Sequence, residues 1–199
     1  MPLQYVLNAS APPPNLDVTS YHWWEGGLFS EAQLADVHAL AATLPYRDSL
    51  AGGVVNTDVR ISRVKWIEPT PDRAWLFDRL FYYARLANER QYHFALHSAK
   101  SLQYTVYTAE NQGKYDWHLD VGKNDISRRK LSAVVLLSDP SEFDGGELQI
   151  MTSKDPKTVP LKRGSIVFFP SFLLHRVTPV TRGERRSLVF WVEGPTSLA

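Results

Sequence analysis

Two textures of hydrophobic and polar positions divide the chain. In the first half, apolar residues recur at helical spacing. The run FSEAQLADVHALAATLP sets Leu34, Val37, Ala41 and Leu44 on one face. Ser30 followed by Gln33 predicts a capping box at its start, and Phe29 with Leu34 fits a hydrophobic staple. Pro45 ends it. A second helix is predicted in PDRAWLFDRLFYYARLANER, where Trp75, Leu76, Leu80, Tyr83 and Ala87 fall at helical spacing. Between the two, VRISRVKWI at residues 59–67 is rich in β-branched side chains and reads as a strand. Ahead of both, Pro12, Pro13 and Pro14 form an extended lead-in that excludes helix.

After residue 100 the period shortens. SLQYTVYTA, YDWHLDV, KLSAVVLLS, GELQIMT, SIVFFPS and RSLVFWVE are short β-rich runs, with turn signals such as DGG at 144–146 and KRG at 162–164 between them. No helical units alternate with these strands, which argues against a doubly wound parallel sheet. Many short strands in succession favour a sandwich, a barrel or a jelly roll. The pattern thus predicts an α+β protein with a mainly β core. A helical N-terminal layer over about residues 1–100 packs on a core of about 101–193, in one domain spanning 1–199 with no flexible linker.

Composition narrows the class. An apolar fraction of 44% and a charged fraction of 22% are those of a folded globular protein. The net charge of +1, with cations spread along the chain, gives no electrostatic footprint for nucleic acid or an anionic membrane. With no cysteine, disulfides, thiolate zinc sites and cysteine nucleophiles are excluded, which suits a reducing cytoplasm. The N-terminal residues carry no signal-peptide pattern, and no apolar run is long enough to predict a membrane span.

The chemistry begins in YDWHLDVG. His118 and Asp120 stand two apart, so on a strand their side chains emerge on one side and could clasp a divalent metal. A third candidate ligand, His175, follows the apolar run ending at Pro170. Two histidines and one carboxylate match the facial triad of non-haem Fe(II) sites, with a tetrahedral zinc site as the rival chemistry. His22, His38, His93 and His97 have no comparable partners and read as surface or packing residues. In RRSLVFWVE, alternation sets Arg185, Ser187, Val189 and Trp191 on one face, with Arg186, Leu188 and Phe190 on the other. If the first face points inward, Arg185 and Ser187 offer a guanidinium and a hydroxyl to a carboxylate. The competing reading is a surface strand with an ion pair to Glu184 or Glu193.

The order H-x-D, a distant His, then R-x-S ten residues later resembles the Fe(II)/2-oxoglutarate-dependent oxygenases, and more closely their prolyl 4-hydroxylase-type branch. The segments that carry the resemblance are YTVYTAENQGKYDWHLD, RKLSAVVLLSDPSEFDGGELQI and GSIVFFPSFLLHRVTPVTRGERRSLVFW, covering residues 101–193 closely and the helices more loosely. It implies a double-stranded β-helix, a form of jelly roll, with the N-terminal helices supporting it. It implies that His118, Asp120 and His175 bind iron and that Arg185 pairs with the distal carboxylate of 2-oxoglutarate, with Ser187 as a second contact. Tyr107 matches a tyrosine that helps hold the cosubstrate, although an ordinary core aromatic is an equal reading. Leu136 stands where some relatives have an aromatic residue, so that contact is missing. Gly145 and Gly146 match the family's GGxL turn, a structural feature.

The resemblance further implies an O₂-consuming hydroxylase that releases succinate and CO₂, with ascorbate as a family expectation. The target it favours is a prolyl residue of a peptide or protein. The alternatives are a free amino acid or other small molecule, and a non-catalytic jelly-roll binding module. An open aromatic groove would favour a peptide, and a closed pocket with a second cation a free acid. No nucleic-acid or membrane partner is expected, and the oligomeric state is not specified. Trp117, Leu119, Phe168, Phe169 and Trp191 are candidates for a dry surround. The polar stretch 121–129 reads either as a lid or as a solvated loop.

Overall fold

The alternation after residue 100 becomes the inner and outer faces of a sheet. The computed structural model describes residues 18–24, 26, 28–49 and 54–195, and the triple-proline lead-in lies outside them. Among the described residues the helices are α1 (Glu31–Ala42) and α2 (Ala74–Ala87). The strands are β1 (His22–Trp24), β2 (Arg47–Asp48), β3 (Arg60–Ile61), β4 (Arg63–Ile67), β5 (Leu102–Thr108), β6 (Lys114–His118) and β7 (Arg129–Leu136). After them come β8 (Phe143–Gly145), β9 (Leu148–Ile150), β10 (Lys157–Thr158), β11 (Ile166–Pro170), β12 (His175–Val177) and β13 (Val180–Glu193). The larger sheet runs β1-β11-β7-β13-β5-β4-β2, with β8 also pairing β13, and the smaller runs β10-β9-β12-β6-β3. Every pairing is antiparallel. Two facing antiparallel sheets of this topology make the jelly roll of the double-stranded β-helix.

Alternation splits the apolar residues into two clusters. Ile166, Phe168, Ala133, Val135, Leu188 and Phe190 point outward and pack under the helices with Leu34, Val37, Leu76 and Leu80. Val134, Val167 and Phe169 point inward and meet Leu148, Ile150 and Val177 of the smaller sheet. Helix α1 begins with the expected reciprocal capping box of Ser30 and Gln33. Its buried side is Leu34, Val37 and Ala41; Leu44 lies past the helix end, partly buried against the same cluster. Helix α2 buries Leu76, Phe77, Leu80, Ala84 and Ala87. A π-turn at Asn88–Tyr92 then carries Tyr92 back, so that its hydroxyl donates to the Phe168 carbonyl at 2.9 Å.

Three expectations change. The run 59–67 is two strands broken at Ser62, because Arg60 and Ile61 pair with β6 while Arg63–Ile67 pair with β5. The Ser62 carbonyl instead accepts from Ser49 Oγ at 2.7 Å. The N-terminal half is more than a helical layer, since β1, β2, β3 and β4 all join the sheets. And β6 stops at His118, so Asp120 lies on the bend beyond it, where its N–H donates to the Ser171 carbonyl at 3.0 Å.

Leu80 is fully buried beneath α2, on the side of the larger sheet away from its inner face. Leu80→Ala is expected to cost about 2–5 kcal/mol of stability, read as a lowered urea midpoint, while Co(II) binding per folded molecule stays unchanged. A variant that loses metal binding while fully folded would contradict this separation of the two clusters.

Candidate active site

Strands β6 and β12 pair so that His118 and His175 stand directly opposite each other. Their rings lie 4.1 Å apart between centroids. The bend after His118 then brings in Asp120, and the three ligand atoms lie within 4.8 Å of one another. Asp120 Oδ1 is 3.6 Å from His118 Nε2, and Oδ2 is 3.3 Å from His175 Nε2.

The surroundings prepare the ring nitrogens. His118 Nδ1 lies 2.8 Å from the Asp116 carbonyl and His175 Nδ1 2.8 Å from the Leu173 carbonyl. A carbonyl only accepts, so each Nδ1 carries a proton and each Nε2 is turned to the shared space; burial works against charge on His175, but the Asp120 carboxylate outweighs it and raises that ring's pKa. Burial holds the His118 pKa below its ordinary value, which keeps that ring neutral. Burial also works against charge on Asp120, yet the neighbouring His175 and His118 outweigh it and hold the carboxyl well below the usual range. Asp120 Oδ2 further accepts from Ser132 Oγ at 2.7 Å, and Ser132 bonds Ser171 at 2.9 Å. Two imidazole Nε2 atoms and one ionised carboxylate oxygen, converging on one side of a cleft, are a donor set that fits a divalent metal such as Fe(II).

The cleft has a volume of about 1140 Å³. Tyr107, Arg185 and Ser187 lie deep within it, and Trp66, Leu119 and Trp191 are among its more exposed lining residues. Strand β13 points Arg185, Ser187, Val189 and Trp191 into it, the face expected from alternation. Arg185 is only 1% exposed; Nη1 donates to Ser187 Oγ at 3.1 Å, and the guanidinium lies 5.6 Å from the Tyr107 ring centroid. The ion pair considered for this strand exists, but it belongs to Arg186 with Glu184 on the other face. Burial pushes the Arg185 pKa down, and among the described residues no carboxylate pairs with it.

Several contributors were not legible in sequence. Gly146, read as part of a structural turn, has φ +60°, and a Cβ there would lie 2.7 Å from Arg185 Cδ. The missing side chain therefore makes room for the arginine stem. Tyr115 stacks on His118 with centroids 3.4 Å apart, and Arg60 covers the Tyr115 ring at 4.5 Å. Arg129 donates to the Asp120 carbonyl at 3.3 Å and lies 3.8 Å from the Trp191 ring centroid. Strand alternation around the triad offers no signal for them, since Tyr115 has the opposite parity to His118 and the other contacts run between elements distant in sequence.

Other expectations fall elsewhere. Phe169 contacts His175, with ring centroids 4.6 Å apart, while Phe168 belongs to the outer cluster because it has the opposite parity on β11. Trp117 lies under Arg176 and does not line the cleft. Leu136 is buried opposite Ser187 and likewise does not line it. The polar stretch after Asp120 forms a 3-10 turn at Asn124–Arg128, of which Asn124, Asp125 and Ile126 wall the cleft. His22 contacts Gln91, His38 the Tyr104 hydroxyl and His97 the Ser98 hydroxyl; none of them joins the cluster.

Comparison with known proteins agrees with this geometry. The family model of the 2OG-Fe(II) oxygenase superfamily matches residues 102–193. A PKHD-type hydroxylase of Teredinibacter turnerae is 46% identical over 88 residues, 42% of this chain and 39% of its own length. The PKHD-type hydroxylase YbiX of Escherichia coli is 34% identical over 154 residues, 71% of this chain and 66% of its own. Among solved structures, a Pseudomonas putida prolyl-4-hydroxylase superposes with a TM-score of 0.68 at 24% identity, covering 90% of this chain and 96% of that one. A Trichoplax adhaerens prolyl hydroxylase, solved with a peptide fragment, gives 0.72 at 14% identity, covering 89% and 84%. The chain belongs to the 2OG-Fe(II) oxygenase superfamily, with the fold of the prolyl 4-hydroxylase-type branch. It spans about two fifths of the length of the first PKHD-type relatives.

Asp120→Ala removes the anionic ligand and is expected to abolish stoichiometric Co(II) binding, read from the visible bands of the titrated protein. Wild-type affinity in a folded variant would show that the ion sits elsewhere.

Proposed function

We propose that the protein is an Fe(II)- and 2-oxoglutarate-dependent dioxygenase that hydroxylates an unactivated C–H bond of a prolyl residue in a peptide or protein. The observation that carries the reading is Arg185: a fully buried guanidinium with no carboxylate partner among the described residues, lining the same cleft as the His-Asp-His cluster. A buried cation of this kind calls for an anionic ligand, and a planar guanidinium grips a carboxylate bidentately.

His118, Asp120 and His175 hold the iron, and the two Nδ1–H donors to backbone carbonyls keep the imidazoles turned toward it. When bound, the iron supplies oxygen activation and C–H hydroxylation, with 2-oxoglutarate leaving as succinate and CO₂. Arg185 and Ser187 hold the distal carboxylate of the cosubstrate, with the Tyr107 ring beside the guanidinium. Val134, Leu148 and Val177 keep water from the space between. Trp66 and Trp191, with ring centroids 6.3 Å apart, offer an apolar wall for a pyrrolidine ring. Arg129, beside Trp191, carries its guanidinium on the same wall.

The prolyl target is supported by the likeness to the two prolyl hydroxylases, one of them solved with a peptide. A small carboxylic acid is the second reading, favoured by the further cations Arg60 and Arg129 in the cleft. A binding module without catalysis has less support, because the three candidate ligands and Arg185 are all in place. An ascorbate requirement is carried over from the family. No helix among the described residues is long and apolar enough to cross a membrane. The cysteine-free chain suits a reducing cytoplasm, where we place it.

Protein purified without oxygen, then given Fe(II), 2-oxoglutarate, air and a proline-rich peptide, is expected to form succinate in step with a peptide mass gain of one oxygen. Succinate that ignores the peptide would redirect the search to small acids. No succinate with iron bound would restore the binding module. Gly146→Ala, which crowds Arg185, is expected to weaken 2-oxoglutarate binding about tenfold or more, the scale of one charge-assisted hydrogen bond. Unchanged cosubstrate affinity in a folded Gly146→Ala protein would remove Arg185 from that role.

A further inference from the structure

The side chains that wall the cleft are unevenly charged. Among the described residues, Arg47, Arg60, Lys123, Arg129 and Arg185 line it, against the carboxylates of Asp120 and Asp125 alone. The chain as a whole is nearly balanced, at +1, so the excess is local. Loading does not remove it, because a divalent metal ion adds two positive charges and 2-oxoglutarate adds two negative ones.

The two acids are also committed. Asp120 belongs to the metal cluster, and Asp125 lies 3.9 Å from Lys100. The next nearby acid, Glu193, is held by Lys100 at 3.6 Å and Arg128 at 4.0 Å. Among the described residues, no carboxylate lies within ion-pair distance of Arg47, Lys123 or Arg129.

Arg129 is the best placed of these cations. Its bond to the Asp120 carbonyl sets it beside the metal cluster, and Trp191 supports one face of its guanidinium. Beyond it, a second cavity of about 230 Å³ shares Trp66, Asp125, Ile126, Arg129 and Trp191 with the main cleft. Arg129 therefore lies beside the metal cluster, on the wall shared by the cleft and this second cavity.

We propose that the substrate presents a carboxylate adjacent to the residue that is oxidised, and that Arg129 binds it, with Arg47 and Lys123 drawing it in from the rim. The inference rests on the oxygenase reading above and names the substrate class of that same site. The carboxylate can come from an acidic side chain or from a chain end.

The test is isothermal titration calorimetry of the protein loaded with Fe(II) and 2-oxoglutarate under argon. Three acetylated and amidated proline peptides differ only beside the proline, carrying Asp, Asn or Lys. A fourth, ending at the proline-flanking Asn, keeps its free carboxylate. The Asp peptide, the free-carboxylate peptide or both are expected to bind at least about tenfold more tightly than the Asn peptide, and the Lys peptide more weakly than it. Which of the two gains the advantage identifies the source.

The advantage should shrink as salt is raised, disappear in Arg129→Gln and fall in the double variant Arg47→Gln/Lys123→Gln, whose sites are exposed. Equal affinity for the Asp, Asn and free-carboxylate peptides overturns the proposal, as does an advantage that survives in both variants. If the peptides then gain oxygen in air without charge preference, the hydroxylase reading stands while this one falls. No binding of any peptide, with 2-oxoglutarate still bound, overturns both this proposal and the peptidyl target.

Discussion

A guanidinium buried with no carboxylate partner among the described residues is the constraint on which the architecture turns. Taking such a charge out of water is costly unless fixed dipoles or a ligand answer it. Here Ser187 accepts one N–H and the Tyr107 ring lies beside the cation. The position depends on β13, a 14-residue strand paired to β5 and β7 at once. With neighbours on both sides its register is fixed, and one residue of slip would turn Arg185 outward into the place of Arg186. Gly146 supplies the remaining condition, space for the stem.

The larger sheet carries Arg185, while the smaller carries both histidines through β6 and β12. Their relation therefore depends on how the sheets are held together. Apolar contacts alone fix a spacing but tolerate sliding. The Asp120–Ser132–Ser171 chain of hydrogen bonds is directional, and it ties the bend after β6 to β7. Arg60 adds a second tie, from β3 in the smaller sheet to Gln103 on β5 at 2.8 Å. Networks of this kind, with their members satisfied, specify one arrangement rather than adding much stability.

The face that Arg185 and Ser187 occupy was legible because alternation is a local property, and so was the capping of α1. His118 and Asp120 come together as expected, though for a different reason: a bend anchored by the Ser171 carbonyl replaces the continued strand. The break at Ser62 was hidden because both fragments are equally β-branched and only their partners differ. Phe168 and Phe169 show the same limit in another form. Adjacent phenylalanines are indistinguishable by composition, and strand parity sends one to the helices and the other to His175. Gly146 was read as turn geometry because a contact defined by an absent Cβ leaves no local pattern.

The division into two apolar clusters has a consequence for how such a site can change. The outer cluster, between helices and sheet, is a continuous core of fully buried side chains and carries most of the apolar burial. The inner space is left partly unfilled and lined by charges, an arrangement that sacrifices packing for chemistry. Because β-strand parity keeps the two sets of side chains apart, substitutions at Trp66 or Arg129 alter the cleft wall without removing contacts from the outer core. The metal cluster and Arg185 are bound to single positions by register and by the turn at Gly146, so they have no such freedom. The same fold can therefore keep the three clustered side chains and Arg185 in place while the wall that β4 and the start of β7 present to the cleft varies.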